Sequence, residues 1–200
     1  MDYLSNIIHC NRAHKAELQA PHHFYSTHPD SVRSFLDVFL KQEDHHIRHA
    51  WEPAAGRLNI SRVLNEYGIG VQSSDLVPRE YLDKSTDFLK CETLIQPNIE
   101  AIITNPPYNL HEPFIRKALE LRPSKFVIMY LKLTCLEGKG RFKLYEEFPL
   151  YQVYVHSSRQ KCDEDGATEF DNGKSAVCYC WYVWKMDYTG DTVIKLLAPN

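Results

Sequence analysis

The chain has 200 residues, of which 44% are apolar and 24% charged, and its net charge is −3. These values describe one ordinary globular domain with room for a sizeable core, and they exclude a disordered, collagen-like or disulfide-scaffold chain. They also exclude a global basic field, so a nucleic-acid partner would have to be met by a local patch.

The six cysteines are scattered rather than spaced as a framework, which fits reduced thiols. The first residues lack the basic-then-apolar pattern of a signal peptide, and no apolar run approaches membrane-spanning length. A cytoplasmic protein with no membrane partner is the expectation.

Residues 1–21 mix Ile7, Ile8 and Leu18 with Arg12, Lys15 and Glu17, which fits a short accessory helix ahead of the main domain. His22 and His23 lie near His9 and His14 in sequence. Surface histidines account for them better than a metal site, and no metal is expected. Residues 24–40 read as a loop and then an amphipathic helix. Val32, Phe35, Leu36 and Phe39 recur at helical spacing and should face the core. Pro29 suits an early helical position, and Thr27 or Asp30 is placed to cap. The amides of such a helix start suit a carboxylate as well as a plain cap.

Residues 47–64 read as strand, tight turn and helix. Gly56 lets the backbone approach a ligand there, and the helix beyond supplies a positive dipole end. Residues 69–75 look like a second strand ending in Asp75. A carboxylate at that place can take two ribose hydroxyls, or simply cap a turn. The Gly56 turn, Asp75, the Asp87-Phe88-Leu89 segment and Asn105 then fall at successive strand ends of one sheet, with residues 99–104 as its fourth strand.

The chemistry is concentrated in residues 101–108. The stretch opens apolar and β-branched, as a buried strand should, and stops on Pro106 and Pro107. Neither proline can donate a backbone hydrogen bond, and each restrains itself and the residue before it. The result is a stiff rung just past a strand's carboxyl end, where open α/β sheets place their ligands. Asn105 and the Pro106 carbonyl can face one point, with the ring of Tyr108 beside it. A planar amine fits that arrangement. Its nitrogen is a poor nucleophile because its lone pair is delocalised into the ring. Two acceptors on its two protons favour a pyramidal nitrogen, and that help is largest where charge develops. A Pro-Pro strand end with a capping Asn and a packed Tyr would account for the same residues.

Residues 113–121 read as a helix with Phe114, Ile115, Ala118 and Leu119 on one side, and residues 125–131 as a fifth, fully apolar strand. Residues 136–142 are a loop turning into a helix. Lys132, Lys139, Arg141 and Lys143 cluster there, either as a phosphate-binding patch or as a solvated loop. Residues 151–156 form a sixth strand. Residues 157–173 are polar, turn-rich and expected to be mobile. Residues 176–184 form a seventh strand, and residues 193–197 a short ending. Cys178 and Cys180 share one face of the seventh strand; their spacing to Cys162 and His156 matches no zinc motif.

Taken together, these segments resemble the class I S-adenosylmethionine-dependent methyltransferases, and within them the phage and prophage type of DNA methyltransferase that modifies N6 of adenine. Asn105-Pro106-Pro107-Tyr108 resembles the family's catalytic tetrad in full, in the Asn form typical of adenine modifiers. The segment from Phe24 to Pro29 resembles the Tyr/Thr-Pro loop near the cofactor's methionine part, which implicates Tyr25 and Thr27, although His28 intervenes before the proline. Glu52-Pro53-Ala54-Ala55-Gly56 is similar to the methionine-binding turn; the family's later glycine is missing, and Asn59 stands near its place. Asp75 matches the acidic ribose ligand, and Asp87 and Phe88 the pair that holds the cofactor adenine. The C-terminal half, through Arg159 and the Cys180–Trp184 aromatic strand, resembles the phage branch.

The resemblance implies an α/β fold: a Rossmann-like, seven-stranded, mostly parallel sheet with one antiparallel strand and helices on both faces. It implies S-adenosylmethionine as cofactor and methyl transfer to adenine N6 in DNA; the basic residues Lys132, Lys139, Arg141, Lys143 and Arg159 are then the candidate DNA contacts. Residues 1–200 are expected to form a single catalytic domain without a separate target-recognition domain. That points to weak sequence discrimination, or to a specificity subunit or a homodimer. Two rivals remain: a methyltransferase for an RNA base or a protein glutamine, and a non-catalytic cofactor-binding subunit that needs a partner. The single-glycine turn argues against a nicotinamide-binding protein, whose loops use three.

Overall fold

The computed structural model describes residues 25–82, 85–158, 160, 162–164 and 177–199. In chain order its strands are β1 (Tyr25–Thr27), β2 (His49–Glu52), β3 (Gly70–Ser73), β4 (Ala101–Thr104), β5 (Phe126–Lys132), β6 (Gln152–His156), β7 (Cys162–Glu164), β8 (Tyr179–Lys185) and β9 (Val193–Leu197). Its α-helices are α1 (Pro29–Phe39), α2 (Asn59–Glu66), α3 (His111–Leu121) and α4 (Lys139–Glu147). One seven-stranded sheet runs β3-β2-β4-β5-β8-β6-β9. Only β8 is antiparallel to its neighbours; the β2–β3, β2–β4, β4–β5 and β6–β9 pairs are parallel. This is the α/β architecture expected from the sequence.

The central strands are apolar throughout because both of their faces are covered. Along β5 the pleat sends Phe126, Ile128 and Tyr130 to one core and Val127, Met129 and Leu131 to the other. The first core is closed by Val32, Phe35, Leu36 and Phe39 of α1 and by Ile60, Val63 and Leu64 of α2. The second is closed by Phe114, Ile115, Ala118 and Leu119 of α3 and by Leu144 of α4. Helical periodicity in the sequence therefore named the buried faces of α1 and α3 correctly. Trp181 of β8 stacks on Phe35 at 4.8 Å between ring centroids, which ties the sheet to α1.

Two strands differ from the sequence expectation. The segment leading to Asp87 makes a single bridge, Asp75 to Ser85, and then a short 3-10 turn at Phe88–Lys90. Its residues do not alternate, Pro78 interrupts it, and Leu76 and Val77 are exposed, so it has no apolar face to bury. The seventh place in the sheet is taken at the opposite edge by β9, which pairs with β6 over five residues. The short strands β1 and β7 form a separate antiparallel pair, with Thr27 opposite Cys162.

The cap of α1 also differs. His28 is the N-cap, and its Nδ1 accepts from the Asp30 amide at 3.2 Å. Thr27, one of the expected caps, lies in β1 and spends its side chain elsewhere. Among the described residues, no helix is long and apolar enough to cross a membrane. The accessory segment 1–21 and residues 159, 161 and 165–173 of the expected 157–173 loop lie outside the described residues.

Candidate active site

Parallel strands β2, β4 and β5 deliver three segments to one edge of the sheet. Glu52 ends β2, Asn105 directly follows β4, and Lys132 ends β5. The β1 strand meets the same edge. There the Asn105 side-chain amide donates to Thr27 Oγ1 at 3.0 Å. Asn59, at the start of α2, donates to Ser26 Oγ at 2.6 Å and to the Thr27 carbonyl at 3.1 Å. These contacts frame a shallow cleft whose walls include Thr27, Glu52, Ala54, Arg57, Asn59 and Asn105.

Glu52 is only 1% exposed. Helix α2 has no side-chain cap of its own, because its N-cap is Leu58 in the left-handed region. Glu52 does that work from a distance: its Oε2 accepts from the Ser61 amide at 2.9 Å and from the Ser61 hydroxyl. Burial pushes its carboxyl up to about 8, the Ser61 hydrogen bonds oppose the shift, and nearby Asp75 adds to it. A cationic ligand group beside it would favour the ionised form and oppose that shift.

Gly56 takes a φ of 49°, a conformation that favours glycine. Its amide donates to Asp75 Oδ2 at 2.7 Å, and the Val77 amide donates to Oδ1 at 2.9 Å. The Tyr81 hydroxyl donates to the Gly56 carbonyl. Asp75 thus holds the turn that follows β2, and its Oδ2 also lies 3.9 Å from the Arg79 guanidinium. Pro53 and Ala54 lie in that turn, and Ala54 lines the cleft.

The expected adenine pair is split. Asp87 caps the 3-10 turn by accepting from the Leu89 amide at 3.2 Å, and it pairs with Lys90 at 2.9 Å. Phe88 is 2% exposed, with its ring 5.2 Å from Trp51 and 4.9 Å from Phe114. Its ring packs in the second core, next to the Asp87 turn.

Pro106 and Pro107 carry the chain from β4 into a short 3-10 turn, Tyr108–Leu110, that feeds α3. The Tyr108 hydroxyl is hydrogen-bonded to that of Tyr179, and their rings stack with centroids 6.1 Å apart. Tyr179 in turn stacks on Tyr130 at 5.2 Å. The Lys132 ammonium lies 4.3 Å from the Tyr108 ring centroid.

The basic cluster separates by role. Lys139 and Lys143 are exposed on α4. Arg141 folds back instead, donating to the carbonyls of Glu137 at 2.6 Å and Thr134 at 3.2 Å, so it braces the loop after β5 rather than reaching outward. Arg159 and the side chain of Tyr25 lie outside the described residues. Sequence reasoning missed Arg57, Tyr179 and Phe142. Arg57 follows the turn glycine directly, and Tyr179 sits opposite Lys132 in the β5–β8 register. Phe142 is 63% exposed between Lys139 and Lys143, an aromatic the helical pattern leaves off the core face.

The mixed seven-stranded sheet with helices around it is a Rossmann-like fold of the kind found in class I methyltransferases. Neither a family model nor a curated protein matches the chain. Solved structures do. A type I restriction-modification methyltransferase subunit from Streptococcus thermophilus matches with a TM-score of 0.59 at 14% identity, over 87% of this chain and 47% of that one. A putative RNA methyltransferase from Pyrococcus horikoshii matches with a TM-score of 0.55 at 12% identity, over 78% of this chain and 84% of that one. The magnesium protoporphyrin IX methyltransferase of Synechocystis, solved with bound S-adenosylmethionine, matches with a TM-score of 0.51 at 11% identity, over 78% of each chain. At these identities the likeness establishes the fold. The chain spans about half the length of the restriction-modification subunit.

Proposed function

We propose that the chain is an S-adenosylmethionine-dependent methyltransferase whose acceptor is the exocyclic N6 amine of adenine in DNA. The observation that carries this reading is the position of Asn105, at the mouth of β4 and on the wall of a cleft that also holds a buried acid and an arginine. An α-amino acid group fits that cleft. Glu52 suits its ammonium, and Arg57 with Thr27 suits its carboxylate. Asp75 is the candidate for the ribose hydroxyls, and Asp87 for the adenine. When bound, S-adenosylmethionine supplies an electrophilic methyl group on a sulfonium.

The remaining work falls to the chain. The Asn105 carbonyl and the Pro106 carbonyl accept the two amine protons, which frees the nitrogen lone pair as the new bond forms. Tyr108, fixed by Tyr179, offers a flat surface for a base taken out of the duplex. Lys139 and Lys143 meet the phosphates. DNA is favoured over other planar amines by the full Asn-Pro-Pro-Tyr tetrad in its adenine-modifier form, and by the restriction-modification subunit among the structural neighbours. In this reading a specificity subunit or a second copy contributes to target choice.

Purified chain incubated with labelled S-adenosylmethionine and DNA, RNA or protein, then digested for mass spectrometry, tests the proposal. N6-methyladenine in DNA is expected. Label confined to an RNA base or to glutamine would replace the acceptor but keep the transfer chemistry. Cofactor binding without any transfer would favour a subunit that needs a partner.

The phosphate patch gives a separate expectation. Replacing Lys139 and Lys143 together with alanine should weaken DNA binding equally for all sequences, and the slope of log K against log salt should fall by about 2. Arg141→Ala should leave that slope unchanged and lower the melting temperature instead. Titrations at several salt concentrations separate the two outcomes.

A further inference from the structure

We propose that Lys132 occupies the ring face of Tyr108 in the free protein, as a stand-in for the acceptor base, and gives it up when a phosphate of the nucleic acid takes its ammonium. The inference rests on the DNA-methyltransferase reading and adds a gate to it.

The geometry has three parts. The Lys132 ammonium lies 4.3 Å from the Tyr108 centroid, well inside cation–π range. A planar base stacked over that face would need the same space. Second, Tyr108 is pinned. Its hydroxyl is tied to Tyr179, its ring stacks on that residue, and Tyr179 stacks on Tyr130 in the core. The group able to move is therefore the lysine stem and not the ring. Third, the base of that stem is anchored. Lys132 ends β5 in register with Tyr179, and its carbonyl accepts from the Tyr182 hydroxyl at 3.0 Å.

Arg33, Arg116 and Lys125 each hold a carboxylate. Among the described residues no carboxylate pairs with Lys132, and an aromatic face is its partner. A half-buried ammonium held only by a ring is readily drawn to a phosphate, which is a stronger partner. Cation–π attraction and base–aromatic stacking are of similar strength, so the exchange is nearly balanced until the phosphate tips it. A neutral ring without a phosphate must displace the lysine unaided. One with a phosphate displaces it with help, which would select polynucleotide over free nucleoside.

The test uses the full chain saturated with S-adenosylhomocysteine, so that adenosine cannot report on the cofactor cleft. Lys132→Met keeps the length of the stem and removes the charge. It should bind adenosine about 5-fold more tightly than the unaltered protein, the gain expected from losing one cation–π competitor. It should bind an adenine-containing oligonucleotide more weakly, with the salt slope reduced by about 1. Lys132→Arg should restore the original order of both. Proton NMR reads the contact itself. The Lys132 ε-methylene should be shifted upfield by the ring, lose that shift in Tyr108→Leu, and lose it on addition of the oligonucleotide. Adenosine affinity unchanged or reduced in Lys132→Met overturns the gate, even where DNA methylation is measured. Tighter adenosine binding without any DNA methylation would instead remove the acceptor assignment and leave the displacement standing.

Discussion

Replacing Asn105 with alanine is expected to slow methyl transfer by about 10²–10³-fold, the usual cost of removing one preorganised polar group from the reacting centre. The loss should appear in kcat. Asn105 acts on the amine as its charge changes, whereas cofactor affinity depends on Glu52, Arg57 and Asp75. Its side-chain amide also donates to Thr27 Oγ1 at 3.0 Å, so the substitution loosens β1 as well. Thr27→Val separates the two effects. It removes the acceptor for the amide while sparing the asparagine oxygen, and it should cost far less in kcat. Single-turnover assays beside calorimetric titration of S-adenosylmethionine check both variants. Equal rates for Asn105→Ala and the unaltered chain would mean that the rung is structural only.

The second large effect is on stability. Burial pushes the Glu52 carboxyl up to about 8 from an ordinary 4.5, so the folded chain keeps a proton that the unfolded chain releases. The contribution of this group to stability therefore falls as pH rises from about 4.5 to about 8, by up to ~1.4 kcal/mol per pH unit, and is flat above that range. His45 and His156 act in the opposite sense. Desolvation holds both down to about 4, so stability falls as pH drops below 6.5 towards 4. With two histidines set against one acid, the maximum should lie near pH 6.5, with a clear loss towards pH 8. Glu52→Gln should remove that alkaline limb. Its amide oxygen still accepts from Ser61, and no buried charge forms. Urea denaturation at pH 6.5 and pH 8 measures the difference, and an alkaline limb that persists in the variant would contradict the assignment.

The sequence exposed what local rules control. Continuous apolar, β-branched and aromatic runs gave β5 and β8, and apolar residues spaced by three and four gave the inner faces of α1 and α3. Two prolines after a β-branched run placed a rung at a strand end. What it hid was set by tertiary competition. Phe88 reads as a ligand-facing aromatic, and its burial between elements of the core, in contact with Trp51 and Phe114, is set by tertiary packing the sequence does not show. Arg141 reads as a phosphate contact, yet two loop carbonyls at the end of β5 need its donors. His28 caps α1 because Thr27 is committed to Asn105 across the sheet edge. The β9 strand looked like a tail because three of its apolar residues, Val193, Ile194 and Leu196, are exposed, and only pairing with β6 makes it a strand.

A crystal structure of the chain with S-adenosylhomocysteine tests the central claim most directly. The account predicts the amino-acid end of the ligand between Glu52, Arg57 and Thr27, with its sulfur turned towards the Asn105 side chain. Ligand density elsewhere on the sheet edge, or an Asn105 amide facing away from the sulfur, would contradict it.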